Sequence, residues 1–149
     1  MVELNTKRVT PDDPNISSML LTYKNEYLTE PYVSLVINKQ HRSILSQFRC
    51  GVLPLKIETG RYQAIPPEFR ICPVCDDDSP ETEAHFMLHC NKYNEIRNDF
   101  LLSCNIDNFD SMSDDVKMKT LMSKVYVNET ASFLFRCYDI RTKSIYPCD

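Results

Sequence analysis

Along most of this chain the apolar positions recur in steps of three and four residues, the spacing of a buried helical face. Residues 1–11 are polar and unpatterned and read as a loose arm. Asp12-Asp13-Pro14 then gives a helix start: the aspartate oxygens accept from first-turn amides, and the proline lacks only an amide that the first turn leaves unpaired anyway. Ile16, Leu20, Tyr23 and Tyr27 follow at helical spacing. Thr29-Glu30-Pro31 repeats the start signal. Behind it, Val33, Val36, Ile37, Ile44, Leu45 and Phe48 predict a second, longer helix that ends at Gly51 and Pro54.

Between Gly51 and Tyr62 the period changes. Leu53, Leu55 and Ile57 alternate with other residues, which predicts extended chain and a turn at Gly60. Pro66-Pro67 keeps the next residues out of a long helix. Helical signals then return. Ser79-Pro80-Glu81 starts a segment carrying His85, Leu88 and His89. Tyr93, Ile96, Phe100, Leu101 and Cys104 share a face of a helix from about Lys92. Ser113-Asp114-Asp115 caps a helix with Val116, Met118, Leu121, Met122 and Val125, and a last helix from about Asn128 carries Ala131, Leu134, Phe135 and Tyr138. The pattern predicts a mainly α fold: one helical domain over 12–142, with a short extended element, a metal-binding segment at 70–90 and a tail at 143–149.

Composition narrows the class. The 149 residues suit one domain, and 42% hydrophobic with 26% charged residues is globular usage. No apolar run approaches the ~20 residues needed to span a bilayer, and the first eight residues lack the apolar stretch of a secretory signal, so the expected setting is intracellular with no membrane partner. In a reducing compartment seven cysteines point to metal rather than disulfides. Two glycines, Gly51 and Gly60, leave no phosphate-cradling loop. The net charge is −4, yet residues 38–74 carry six Lys or Arg against two Glu, a local +4 that fits nucleic-acid contact.

One constellation carries chemistry. Cys72-Pro73-Val74-Cys75 is a C-x2-C pair, whose tight turn lets backbone amides point at both sulfurs while each reaches one ion at about 2.3 Å. His85, His89 and Cys90 compete for the two remaining ligand positions. The two histidines are one helical turn apart, whereas Cys90 offers a thiolate, the stronger zinc ligand, and completes C-x2-C-x9-H-x4-C. Four protein ligands close the coordination shell, leaving no position for a reactive water, so the expected Zn2+ is structural and the module non-catalytic. Neither an H-E-x-x-H nor a deaminase H-x-E arrangement is present. Cys50, Cys104 and Cys137 read as small buried residues and Cys148 as a tail thiol.

The segments Phe48 to Tyr62 (with Ile57-Glu58-Thr59-Gly60-Arg61-Tyr62), Arg70-Ile71-Cys72-Pro73-Val74-Cys75 and Glu83 to Tyr93 (with His85-Phe86-Met87-Leu88-His89-Cys90) together resemble the zinc-binding CCHC region downstream of the reverse transcriptase in non-LTR (LINE-type) retrotransposon proteins. The resemblance is strong over about a third of the chain. It implies Cys72, Cys75, His85 and Cys90 as ligands and a role beside a polymerase in holding RNA or DNA. Asn91 stands where that family usually has proline. The polymerase itself is absent, since no Y-x-D-D carboxylate pair occurs. On this reading Arg42, Arg49, Lys56, Arg61 and Arg70 contact phosphates, with Arg61 and Arg70 foremost, and Tyr62 stacks on an exposed base. The alternative is a zinc-stabilised protein-interaction or structural domain, which the acidic net charge favours.

Overall fold

A computed structural model describes residues 31–36 and 38–148. The helix expected from Asp12 lies outside them. The described residues are mainly helical, with α1 (Tyr32–Leu35), α2 (Lys39–Arg49), α3 (Lys56–Tyr62), α4 (Asn94–Cys104), α5 (Asp114–Leu121) and α6 (Val127–Ile145). Three-residue 3-10 turns lie at Pro67–Phe69, Asn91–Tyr93 and Phe109–Ser111, and a π-helical turn spans His85–His89. Among the described residues the only β pairing is an isolated antiparallel bridge between Ile71 and Pro80.

The long α6 is the pillar of the fold, with α1, α2 and α4 all packed on it. Its Ala131, Leu134 and Cys137 are fully covered, opposite Leu45 and Phe48 of α2, which are equally buried. Phe133 stacks on Phe100 of α4 with ring centroids 4.4 Å apart. From Phe48 the core continues to Phe86 and on to Tyr93, which meets Phe86 edge-to-face at 5.2 Å. Burying side chains of this size contributes roughly 1.5–3 kcal/mol each relative to exposure. The three- and four-residue spacing of these apolar positions is why α4, α5 and α6 read correctly as helices.

Four expectations need correction. The helix drawn as one piece from Pro31 to Phe48 is two, because Val36 turns extended and Asn38 starts a new helix by accepting hydrogen bonds from Gln40 N and His41 N. Its far end is as expected. Gly51, at φ 67°, closes a Schellman motif in which Val52 N donates to Gln47 O and Gly51 N to Phe48 O.

The second correction is the stretch Gly51–Tyr62, expected as extended chain: only its first residues, up to Leu55, are non-helical, and Lys56–Tyr62 is helix. Its start signal is not local. The Glu81 carboxylate accepts from Lys56 N at 2.7 Å and the Glu81 carbonyl accepts from Ile57 N at 3.2 Å, so a residue 25 positions away caps the first turn. Third, Pro80 and Glu81 do not begin a helix; the helical turn starts at Glu83. The C-terminal helix also runs through residues 143–145, which the sequence assigned to a tail.

Candidate metal centre

The site is built from two short turns facing each other. Arg70–Cys72 and Ser79–Glu81 pair as a small hairpin: Cys72 N donates to Ser79 O at 2.9 Å and Glu81 N to Arg70 O at 2.8 Å, on either side of the Ile71–Pro80 bridge. The loop between them carries Cys72 and Cys75, and Asp78, at φ 52°, makes its return. The backbone at Val74 and Cys75 favours charge on the Cys72 sulfur, and that at Asp77 does the same for Cys75, the effect expected of a C-x2-C turn.

The second turn is the π-helical segment. Cys90 N donates to His85 O at 2.7 Å, a five-residue closure that widens the helix by one residue. That extra residue brings position 90 back beneath position 85. The backbone at Lys92 favours charge on the Cys90 sulfur.

Together these turns gather one ligand atom each from Cys72, Cys75, His85 and Cys90 within 4.8 Å of one another. A tetrahedral ion with three sulfurs at 2.3 Å has edges of about 3.8 Å, so a small contraction would close this set around one cation. The Cys75 sulfur already lies 3.4 Å from His85 Nε2. Cys90 is fully buried, Cys72 and His85 nearly so. His89 points away from the cluster: its Nε2 meets Asp114 Oδ2 at 2.7 Å on the surface. Of the two residues that the spacing left in competition, Cys90 is the one that joins the other three in space.

The thiols of this cluster influence one another strongly. The neighbouring Cys90 side chain holds Cys72 well below the ordinary thiol range, with help from the loop backbone at Val74 and Cys75 and against the effect of burial. The neighbouring Cys72 side chain, together with burial, drives Cys90 far up. Cys75 is raised, chiefly by desolvation. One sulfur can hold negative charge only because its neighbours keep their protons. A divalent cation removes that conflict, since it lets all three ionise at once.

Two buried polar anchors surround the cluster, and the sequence did not reveal either. Glu81, with no exposed surface, receives both Arg141 Nε (2.8 Å) and Arg141 Nη2 (2.7 Å) from α6, and its Oε2 lies 3.9 Å from the Cys72 sulfur. Arg97 of α4, 6% exposed, donates from Nε to Met87 O at 2.9 Å and from Nη2 to Cys90 O at 2.8 Å. An acid after proline and an arginine on a helix face are ordinary surface residues in sequence, and only the fold buries them.

The basic residues do not form one surface. Arg70 crosses the face of Gly60 and donates to Ile57 O (2.7 Å) and Ile65 O (2.8 Å), so its guanidinium is engaged with the backbone. Arg49 is buried, over the Tyr32 ring at 5.1 Å, and Arg42 donates to Val36 O at 3.0 Å. Lys56 is exposed, Arg61 keeps 61% of its side chain in solvent while pairing with Glu58, and Tyr62 is 79% exposed. No helix of the described residues is long and apolar enough to cross a membrane. No protein-family model matches this chain, and neither the curated proteins nor the solved structures contain a significant match.

Proposed function

We propose that Cys72, Cys75, His85 and Cys90 bind one structural zinc ion, and that the chain is a non-catalytic zinc module that binds nucleic acid. The convergence of three sulfurs and one imidazole nitrogen within 4.8 Å carries the metal reading. Chemistry favours zinc within it: thiolate and imidazole ligands with short spacing select Zn2+ over the hard, oxygen-seeking Mg2+ and Ca2+. The four protein ligands fill a tetrahedral shell, which supports a structural role rather than activation of water.

Nucleic-acid binding rests on less: the resemblance to the retrotransposon CCHC region and the exposed trio Lys56, Arg61 and Tyr62 on α3. Its mechanism would be phosphate contact by Lys56 and Arg61, with a base stacked on Tyr62. The internal engagement of Arg42, Arg49 and Arg70 and the net charge of −4 favour a second reading, a protein-interaction domain that zinc holds in shape.

Native mass spectrometry tests the metal: one zinc per chain is expected, and a folded, metal-free protein after zinc-replete purification overturns the proposal. Binding to single-stranded RNA and duplex DNA across a salt titration tests the rest. Affinity that falls steeply with salt and drops further in a Lys56→Ala/Arg61→Ala variant supports the nucleic-acid reading; no binding, or salt-independent binding, leaves the interaction domain in its place.

A further inference from the structure

Arg97 presents a physical puzzle that the helical core does not solve. The residue is 6% exposed, yet the hydrogen-bond partners of its guanidinium are Met87 O, Cys90 O and the side-chain oxygen of Asn94, all neutral. Among the described residues no carboxylate pairs with it. Arg141, buried to the same extent, has Glu81 on two of its donors at 2.7–2.8 Å. A guanidinium taken out of water without a counter-charge is strongly disfavoured, and buried charges are paired as a rule.

The charge of a loaded centre supplies what is missing. Three thiolates and a neutral imidazole around a divalent ion leave one net negative charge in a buried volume. Glu81 and Arg141 already neutralise each other, which leaves Arg97 as the cation beside the centre. Its hydrogen bond to Cys90 O ties it to the backbone of the most buried of the three cysteines.

We propose that Arg97 is the counter-ion of the metal-thiolate anion, a positioning residue that fixes the Cys90 turn and makes the site select a complex of one negative charge. The proposal rests on the zinc reading above and extends it to a residue outside the ligand set. Removing such groups around a metal typically weakens binding 10–100-fold.

The experiment measures competitive Zn2+ affinity and the Co2+ absorption spectrum of the full chain for wild type, Arg97→Lys and Arg97→Gln, each also in a Cys75→His background. That background replaces one thiolate by a neutral imidazole and makes the loaded site uncharged. Arg97→Gln should bind zinc about 10–100-fold more weakly, and Arg97→Lys, which keeps the charge but not the fork, should recover most of that loss. In the Cys75→His background the penalty of Arg97→Gln should largely vanish. A penalty of equal size in both backgrounds, or a lysine as poor as glutamine, shows that Arg97 merely ties down carbonyls and overturns the proposal, as does wild-type affinity in Arg97→Gln. If Arg97→Gln fails to fold, Arg97→Lys decides: affinity within a few-fold of wild type supports the counter-ion role, and a loss of about 10-fold or more overturns it. Absence of metal from wild type itself would instead defeat the zinc reading.

Discussion

Helix α6 and the segment from Lys56 to Cys90 are held by different balances of burial and directed bonds. In α6, Ala131, Leu134 and Cys137 repeat at three-residue steps and are fully covered by α2 and α4, so its position follows from apolar area. The Lys56–Cys90 segment contains one seven-residue α-helix, one 3-10 turn, one β bridge and one π-helical turn; Phe86 and Met87 set its end in the core, and long-range polar bonds tie the rest: Glu81 to Lys56 N, Arg70 to Ile57 O, Arg141 to Glu81. Nondirectional burial tolerates small shifts, whereas a network of directed bonds fails when one member is lost.

Metal removal should break this comparison most visibly. Structural zinc in small sites is worth on the order of 10 kcal/mol, so chelation should abolish hydrogen-exchange protection across 56–90 while the central amides of α6 keep much of theirs. Uniform loss in both regions would show that they unfold as one unit. Acidification acts in the same direction. The Cys90 thiol, raised by the neighbouring Cys72 side chain and by burial, must lose its proton to bind metal. Bound metal is therefore favoured at higher pH, and zinc affinity should fall steadily as pH drops below neutrality, which a competition titration across pH measures.

Glu81→Gln should come next. It strips the charge from a fully buried carboxylate and leaves Arg141 unpaired, an effect of about 3–5 kcal/mol by denaturant titration of the zinc-loaded protein. The paired change Glu81→Leu/Arg141→Met should cost less than the single one, because no buried charge is stranded. Leu134→Ala, the matching lesion in the apolar region, should cost about 3 kcal/mol and leave zinc affinity within a few-fold of wild type.

The smallest effect is also the most diagnostic in sign. Glycine inside a helix ordinarily gains about 1 kcal/mol on becoming alanine. Here a Cβ on Gly60 would sit 2.6 Å from Arg70 Cγ and 2.7 Å from Cδ, in a side chain tied down at both Ile57 O and Ile65 O. Gly60→Ala should therefore destabilise, by about 1–2 kcal/mol in thermal melts, and a stabilised variant would show that Arg70 moves aside freely.

This contrast also governs what could be read before the fold was seen. Period and caps located α4, α5 and α6, although α5 stops at Leu121, short of Val125, which lies exposed in a turn; Ser113, for example, accepts from Val116 N as expected of a capping serine. The four residues of the Cys/His cluster were legible too, because metal chemistry confines cysteine and histidine to recognisable spacings. Helix α3 was not, since its cap is Glu81, and no local window contains both. Nor could the sequence distinguish Arg61, largely in solvent, from Arg70, locked to backbone carbonyls. The break at Asn38 was a missed local signal: an asparagine followed by a new helical turn is a cap in its own right.

Glu81 has a consequence for how this chain can be divided. One carboxylate touches the start of α3, the Cys72 sulfur and, 60 positions downstream, the guanidinium of Arg141. A peptide cut to the metal-binding loops alone would lack the partner that neutralises this acid in its buried setting. The region is therefore not a portable cassette: a fragment ending before residue 141 would retain Cys72, Cys75, His85 and Cys90 and still lose the guanidinium that neutralises Glu81 beside them.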